Sequence, residues 1–189
     1  MTYYHASNTA EITVLEPRLS SHGIPLVYFS KKRENVLVYL SNAIERFCKE
    51  TGFAYEGKCA KWGPYGFRNG ILQIQEYYRN ALEETYRGAS AYIYSAEDII
   101  EADIDIRIPD AAVSSIPVKV SGCEFVPDAY EEILKAESAG LIMIGRYEDL
   151  CRNERFMEWN RRTIREQYET AAEQPEYRYF IEAKFGDLL

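Results

Sequence analysis

At 189 residues, 47% of them hydrophobic, the chain carries enough apolar material to bury a domain-sized core, which excludes wholesale disorder. Its net charge of −8 argues against a general binder of nucleic acid or of anionic membrane. No segment reaches the length of a membrane-spanning helix, and the first residues lack a basic run leading into an apolar one, so neither a membrane anchor nor a signal peptide is expected. Cys48, Cys59, Cys123 and Cys151 form no CxxC pair and only two histidines accompany them. Free thiols in a reducing cytoplasm are therefore the simplest expectation, without a structural zinc site.

The chain opens with Thr2-Tyr3-Tyr4-His5-Ala6-Ser7, which reads as a first strand ending in small polar residues. Ile12-Thr13-Val14-Leu15 is a short apolar run, and Glu16 to Gly23 is loop-like because Pro17 resists regular pairing and Gly23 suits a turn. Leu26-Val27-Tyr28-Phe29-Ser30 is then a buried strand, with Ser30 placed to cap a helix. From there Val36, Tyr39, Leu40, Ala43, Ile44 and Phe47 recur at helical spacing. This predicts one long helix that ends at Gly52, a residue suited to a left-handed cap.

Residues 53–70 are aromatic and punctuated by glycine, including Trp62-Gly63-Pro64-Tyr65-Gly66-Phe67, and read as an ordered loop. A second helix is expected over Gln75 to Arg87, stopping at Gly88. Ala91 to Tyr94 reads as a strand, and the alternation of Ile104-Asp105-Ile106-Arg107-Ile108 predicts a half-exposed strand. Further short strands are expected at Pro117 to Val120 and Glu124 to Val126, broken by Gly122. Asp128 can cap a helix that runs through Lys135 and ends at Gly140. Leu141 to Ile144 is a last strand or a buried turn. Cys151 to Ala172 is helical in period, with Phe156, Trp159, Ile164 and Tyr168 as buried positions, and Tyr177, Tyr179 and Phe180 dock the tail. These elements amount to an α+β fold in a single domain, residues 1–126 as a core and 127–189 as a mostly helical layer on it.

Two stretches carry a resemblance. His5-Ala6-Ser7 on a first strand resembles the first motif of the ADP-ribosyltransferase superfamily. Tyr28-Phe29-Ser30, a polar turn, and Tyr39 eleven positions after Tyr28 resemble the second motif of its branch related to the poly(ADP-ribose) polymerases. The likeness covers roughly the first 45 residues in detail, and beyond them strand order only. It implies a split β-sheet core with flanking helices, and NAD as the substrate held in a cleft of that sheet.

The resemblance also implies roles. His5 would bond hydroxyls of the adenosine ribose, and the backbone of Ala6, where the family usually has Gly, would hold the nicotinamide carboxamide. Ser7 would add a hydroxyl, Tyr28 and Tyr39 would sandwich the nicotinamide ring, and Arg18 would meet the pyrophosphate. A late-strand acid would stabilise positive charge as the glycosidic bond loosens. Glu124, in the acid-aromatic-aliphatic run Glu124-Phe125-Val126, and Asp110 compete for that place, with Glu76 a third choice. The function implied is transfer of ADP-ribose from NAD to a protein or nucleic-acid acceptor. Two alternatives stand beside it: a catalytically inactive interaction domain that uses the aromatic loop 53–67, and an RNA-processing enzyme of the related phosphotransferase branch.

Overall fold

A computed structural model describes residues 1–19, 23–57 and 62–189. The chain begins with β1 (Tyr3–Ser7), β2 (Val14–Leu15), β3 (Arg18–Leu19) and β4 (Pro25–Ser30), followed by a 3-10 helix over Arg33–Tyr39 and α1 (Ala43–Thr51). Next come β5 (Tyr65–Arg68), β6 (Ile71–Gln75), α2 (Ala81–Tyr86), β7 (Ala91–Ala96), β8 (Ala111–Ser114), β9 (Val118–Lys119) and β10 (Gly122–Val126). The last elements are α3 (Ala129–Ser138), β11 (Ile142–Gly145), α4 (Tyr147–Leu150), α5 (Glu154–Thr170) and α6 (Pro175–Phe185). The architecture is α+β.

The main sheet runs in the order β10-β7-β1-β4, with β3 and β8 both pairing β4. β1 and β7 pair along their whole length, from Tyr3↔Ala96 to Ser7↔Tyr92. By contrast β1 and β4 share one ladder pair, Tyr4↔Ser30. Past that pair the two strands part, and the sheet opens between Ala6 and Tyr28. Alternation decides what each face carries. Tyr3, Phe29, Tyr94 and Ala112 pack with Leu15 and Val118 on one side. On the other side Ala6, Ala91 and Ile93 pack under the 3-10 helix and α3.

The expected long helix is two helices. Val36, Leu37 and Val38 are all buried along with Asn35, so the chain here has no solvent face and tightens into a 3-10 helix, with Leu40 N–H on the Leu37 carbonyl (3.1 Å). Ser41 then accepts from Ala43 N–H (3.2 Å) and starts α1 afresh. Gly52 closes α1 in the left-handed conformation, φ 71°, as the sequence leads one to expect.

A second sheet, β11-β6-β5, lies beside the first. The expected helix over Gln75–Arg87 is shorter: Gln75 ends strand β6 and α2 starts at Ala81. β5 and β6 form a hairpin whose turn is Asn69-Gly70, both at positive φ (54° and 74°). That is the backbone of a type I′ turn, which asparagine and glycine favour. β11 completes this sheet in parallel with β6, Ile142↔Leu72 through Gly145↔Gln75. α3 has the expected Asp128 cap, accepting from Tyr130 and Glu131 N–H.

The expected strand over residues 104–108 does not form. Burial alternates there, but Arg107 takes a positive φ of 55°, which ends extended pairing. The strand beside β4 is instead β8, Val27↔Ser114 through Ser30↔Ala111. Gly122 likewise begins β10 rather than breaking it, and Arg18–Leu19, expected as loop, pairs with β4. Ser20 to His22 of that loop, and Lys58 to Lys61 of the aromatic stretch, lie outside the described residues.

A third cluster joins α1 to the C-terminal helices. Ile44, Cys48, Trp62, Ile164, Phe180 and Ile181 are buried in it, and Phe53 stacks on Tyr179 at 4.2 Å. The tail therefore docks. Ile164 is buried as expected, whereas Trp159 is 37% exposed.

Candidate functional site

The opening between β1 and β4 is the place to look, because it exposes backbone that a continuous ladder would have covered. His5 sits at its apex. Its Nδ1 lies 2.8 Å from the Tyr28 carbonyl, and a carbonyl can only accept, so Nδ1 donates. The imidazole thus satisfies a backbone group freed by the splaying of the strands. In the neutral ring this tautomer makes Nε2 an acceptor, which suits a hydroxyl-bearing ligand.

Two cavities of about 370 Å³ each adjoin this point. His5, Ala6 and Tyr28 line both. The first cavity is aromatic and aliphatic: Tyr28 and Tyr39 line it with Tyr65 and Phe67 from the β5–β6 hairpin and Ile106 and Ile108 from the segment before β8. The second runs under the residue 9–19 segment, and Ser7, Thr9, Glu16 and Arg18 join His5 and Tyr28 in supplying its polar side chains. Tyr94 holds part of that segment by donating to the Thr9 carbonyl (2.8 Å) and accepting from Ile12 N–H (3.2 Å). Tyr39 lines the first cavity, Ser7 and Arg18 the second, and His5, Ala6 and Tyr28 both.

Tyr39 crosses Tyr65 edge-on, with ring centroids 5.7 Å apart and the hydroxyls hydrogen-bonded. Tyr39 is 37% exposed, yet crowding around its phenol, and secondly the Tyr65 hydroxyl, push its pKa well up. It is neutral at any physiological pH. Tyr65 was legible only as part of an aromatic loop; the Asn69-Gly70 turn flanked by alternating residues was the signal that would have placed it on a hairpin.

The acids are arranged differently. Glu124, on β10, stands opposite Ile93 of β7, which in turn stands opposite Ala6. It is two strands removed from β1 and lines neither cavity. Arg33 takes it in a fork, Nε to Oε2 at 2.9 Å and Nη2 to Oε1 at 2.5 Å, while also reaching Glu132 at 2.7 Å. The Arg33 bond holds the Glu124 carboxyl below its usual range, and that same bond raises Arg33.

Asp110 is much nearer. It lies between Pro109 and Ala111, both of which line the first cavity. Its backbone is pinned by Lys31 N–H (2.7 Å) and the Ser30 hydroxyl (3.4 Å) on its carbonyl. Its φ of 57° turns the chain sharply, and its carboxylate pairs with Lys32 at 2.9 Å at the rim. That partner raises the Lys32 pKa. No carboxylate is among the described residues that line the first cavity.

Two further expectations are settled by burial. Glu76, the third choice for the acid, is buried: its carboxylate accepts from Leu82 N–H (3.0 Å) and Tyr147 N–H (3.1 Å), and it lines neither cavity. Trp62 is buried among Tyr77, Tyr177, Phe180 and Phe185, so it belongs to the core.

Compared with family models, curated proteins and solved structures, the chain matches none. One cavity is lined mainly by aromatic and aliphatic side chains, the other carries a guanidinium, and His5 lines both. No helix among the described residues is long and apolar enough to cross a membrane.

Proposed function

We propose that this chain is an ADP-ribosyltransferase-like domain that binds NAD in the cleft between β1 and β4 and transfers ADP-ribose from it. The observation that carries the reading is that an aromatic cavity and an arginine-bearing one share His5, Ala6 and Tyr28 as lining residues. NAD is an extended molecule with a planar amide-bearing ring at one end and a diphosphate in the middle. In this reading Tyr28 and Tyr39 flank the ring in the aromatic cavity. The ribose hydroxyls meet His5, and Arg18 meets the diphosphate, where its fork pairs well with phosphate oxygens.

Chemistry needs an acid that faces the sugar as the bond from C1′ to the pyridine nitrogen breaks. The electron pair leaves with the nitrogen as neutral nicotinamide, and positive charge collects on C1′ and the ring oxygen. The acceptor nucleophile then bonds to C1′ and gives up its proton. Of the two rival acids we assign this task to Asp110, because it adjoins the cavity and is held only by a solvent-exposed lysine pair, which is cheap to open. Glu124 would have to leave a two-pronged arginine fork.

A second reading is favoured by the same geometry. Because the first cavity has no carboxylate among its described lining residues, the domain would bind NAD without cleaving it. The RNA-phosphotransferase alternative draws least support, since the two cavities have Arg18 but no lysine among their described lining residues.

Nicotinamide release from NAD separates the readings. The transfer reading predicts release by the wild type, a loss of about a hundredfold in Asp110→Asn and little change in Glu124→Gln. An active Asp110→Asn would overturn the assignment. Binding of NAD with no release would leave the binding-only reading in place.

A further inference from the structure

The first cavity contains a polar group that no motif in the sequence singles out. Asn35 lines it from the 3-10 helix and is 6% exposed. Among the described residues its Nδ2 has no hydrogen-bond partner. An amide N–H₂ buried without a partner is destabilising, so its retention in a wall that, apart from His5, Ser30 and the tyrosine hydroxyls, is aromatic and aliphatic needs a reason. Its neighbours on the helix, Val36, Leu37 and Val38, are buried apolar residues, and a leucine at position 35 would pack without that cost.

We infer that Asn35 is a specificity-determining residue, its amide N–H₂ donating a hydrogen bond to an acceptor oxygen carried by the planar ring of the cleft's ligand. The terminal amide turns in a broad two-fold well, so it can present its nitrogen to the cavity without moving the helix. The aromatic walls accept any flat ring; Asn35 selects one that bears a carbonyl. This rests on the NAD reading, in which that oxygen belongs to the nicotinamide carboxamide. It adds a side-chain donor to the backbone contact expected from Ala6.

The test combines ligand-free thermal unfolding with calorimetric titration of NAD and of its thionicotinamide analogue, in which sulfur, a weaker acceptor, replaces the carboxamide oxygen. Wild type, Asn35→Leu, Asn35→Ala and His5→Ala are compared. Asn35→Leu should melt at or above the wild-type temperature while binding NAD about tenfold more weakly, consistent with loss of one hydrogen bond in a dry site. The wild type should prefer NAD over the thio analogue, and Asn35→Leu and Asn35→Ala should both lose that preference. His5→Ala should weaken both ligands alike and keep the preference.

If the wild type binds NAD but the Asn35 variants keep its affinity and its preference, Asn35 is not the donor and the inference fails alone. If Asn35→Leu and Asn35→Ala both melt well below the wild type, the amide is structural and the inference fails. If the wild type does not bind NAD at all, the functional reading fails and takes this inference with it.

Discussion

Replacing Glu76 with alanine removes a buried carboxylate that serves two helices at once. Leu82 lies in the first turn of α2 and Tyr147 is the first residue of α4. Both donate a backbone N–H to Glu76, at 3.0 and 3.1 Å, and helix-start amides have no partner within their own helix. Hydrogen bonds to a charged acceptor are worth roughly 1.5–3 kcal/mol each. Losing both, with some recovery from water entering the gap, gives a cost of about 3–5 kcal/mol. That is a large share of the 5–15 kcal/mol expected for a folded domain, and on the order of 10 °C in melting temperature for a chain of this size.

Urea unfolding followed by circular dichroism reads this directly, as a lower midpoint at an unchanged slope. Glu76→Gln keeps one acceptor oxygen and should fall between the two. An alanine variant within about 1 kcal/mol of the wild type would refute the double-cap reading. The effect should reach the cleft as well. Glu76 directly follows β6, and β6 pairs with the β5 strand that carries Tyr65 and Phe67 over the first cavity.

Electrostatics and burial give two further expected outcomes. Arg33 depresses the Glu124 carboxyl, so this pair stabilises the fold above the unfolded glutamate pKa and ceases to do so as pH falls through the folded value. After solvent screening the gain is at most about 1 kcal/mol. Glu124→Gln should therefore melt lower than the wild type at neutral pH, with the gap closing below about pH 4; a gap that widens in acid would contradict the pairing. Cys48 is buried, and burial, then the nearby Glu176 charge, push its thiol up, whereas Cys123 and Cys151 are exposed. A brief iodoacetamide pulse read by mass spectrometry should label Cys123 and Cys151 and spare Cys48; equal labelling of Cys48 would contradict its burial.

How far the sequence foretold this structure depended on whether a local pattern had a unique partner. β1, β4, β7 and α3 were legible because strand alternation, the Asp128 cap and the turn glycines all agree with the fold. The alternation of Ile104, Ile106 and Ile108 correctly marks which side chains turn inward, two of them into the first cavity. It could not say that the backbone there would go unpaired. Arg107 and Asp110 both adopt positive φ, which their residue types do not announce, and the pairing passes to Ala111–Ser114, a run with weak strand character. The helix expected through Tyr39 failed for a related reason: apolar periodicity reports burial, but burial on every side of residues 35–38 favours a tighter turn.

The cleft was legible in the same partial way. His5, Ala6, Ser7, Arg18 and Tyr28 come near one another because β1 and β3 both pair with β4, and the 3-10 helix that follows β4 brings Tyr39 to the first cavity. Tyr65 and Phe67 come from a hairpin in a second sheet, and Asn35 matters because of what surrounds it rather than its spacing. The sequence did not show that Glu124 lies two strands out from β1 while the neighbours of Asp110, Pro109 and Ala111, line the first cavity.

Whether the two cavities that share His5 take NAD is tested by isothermal titration of NAD into the wild type, His5→Ala and Tyr39→Ala. The expected result is saturable binding at one site per chain, weakened at least tenfold by either substitution with melting temperatures still near that of the wild type. No heat and no thermal stabilisation by millimolar NAD would contradict it.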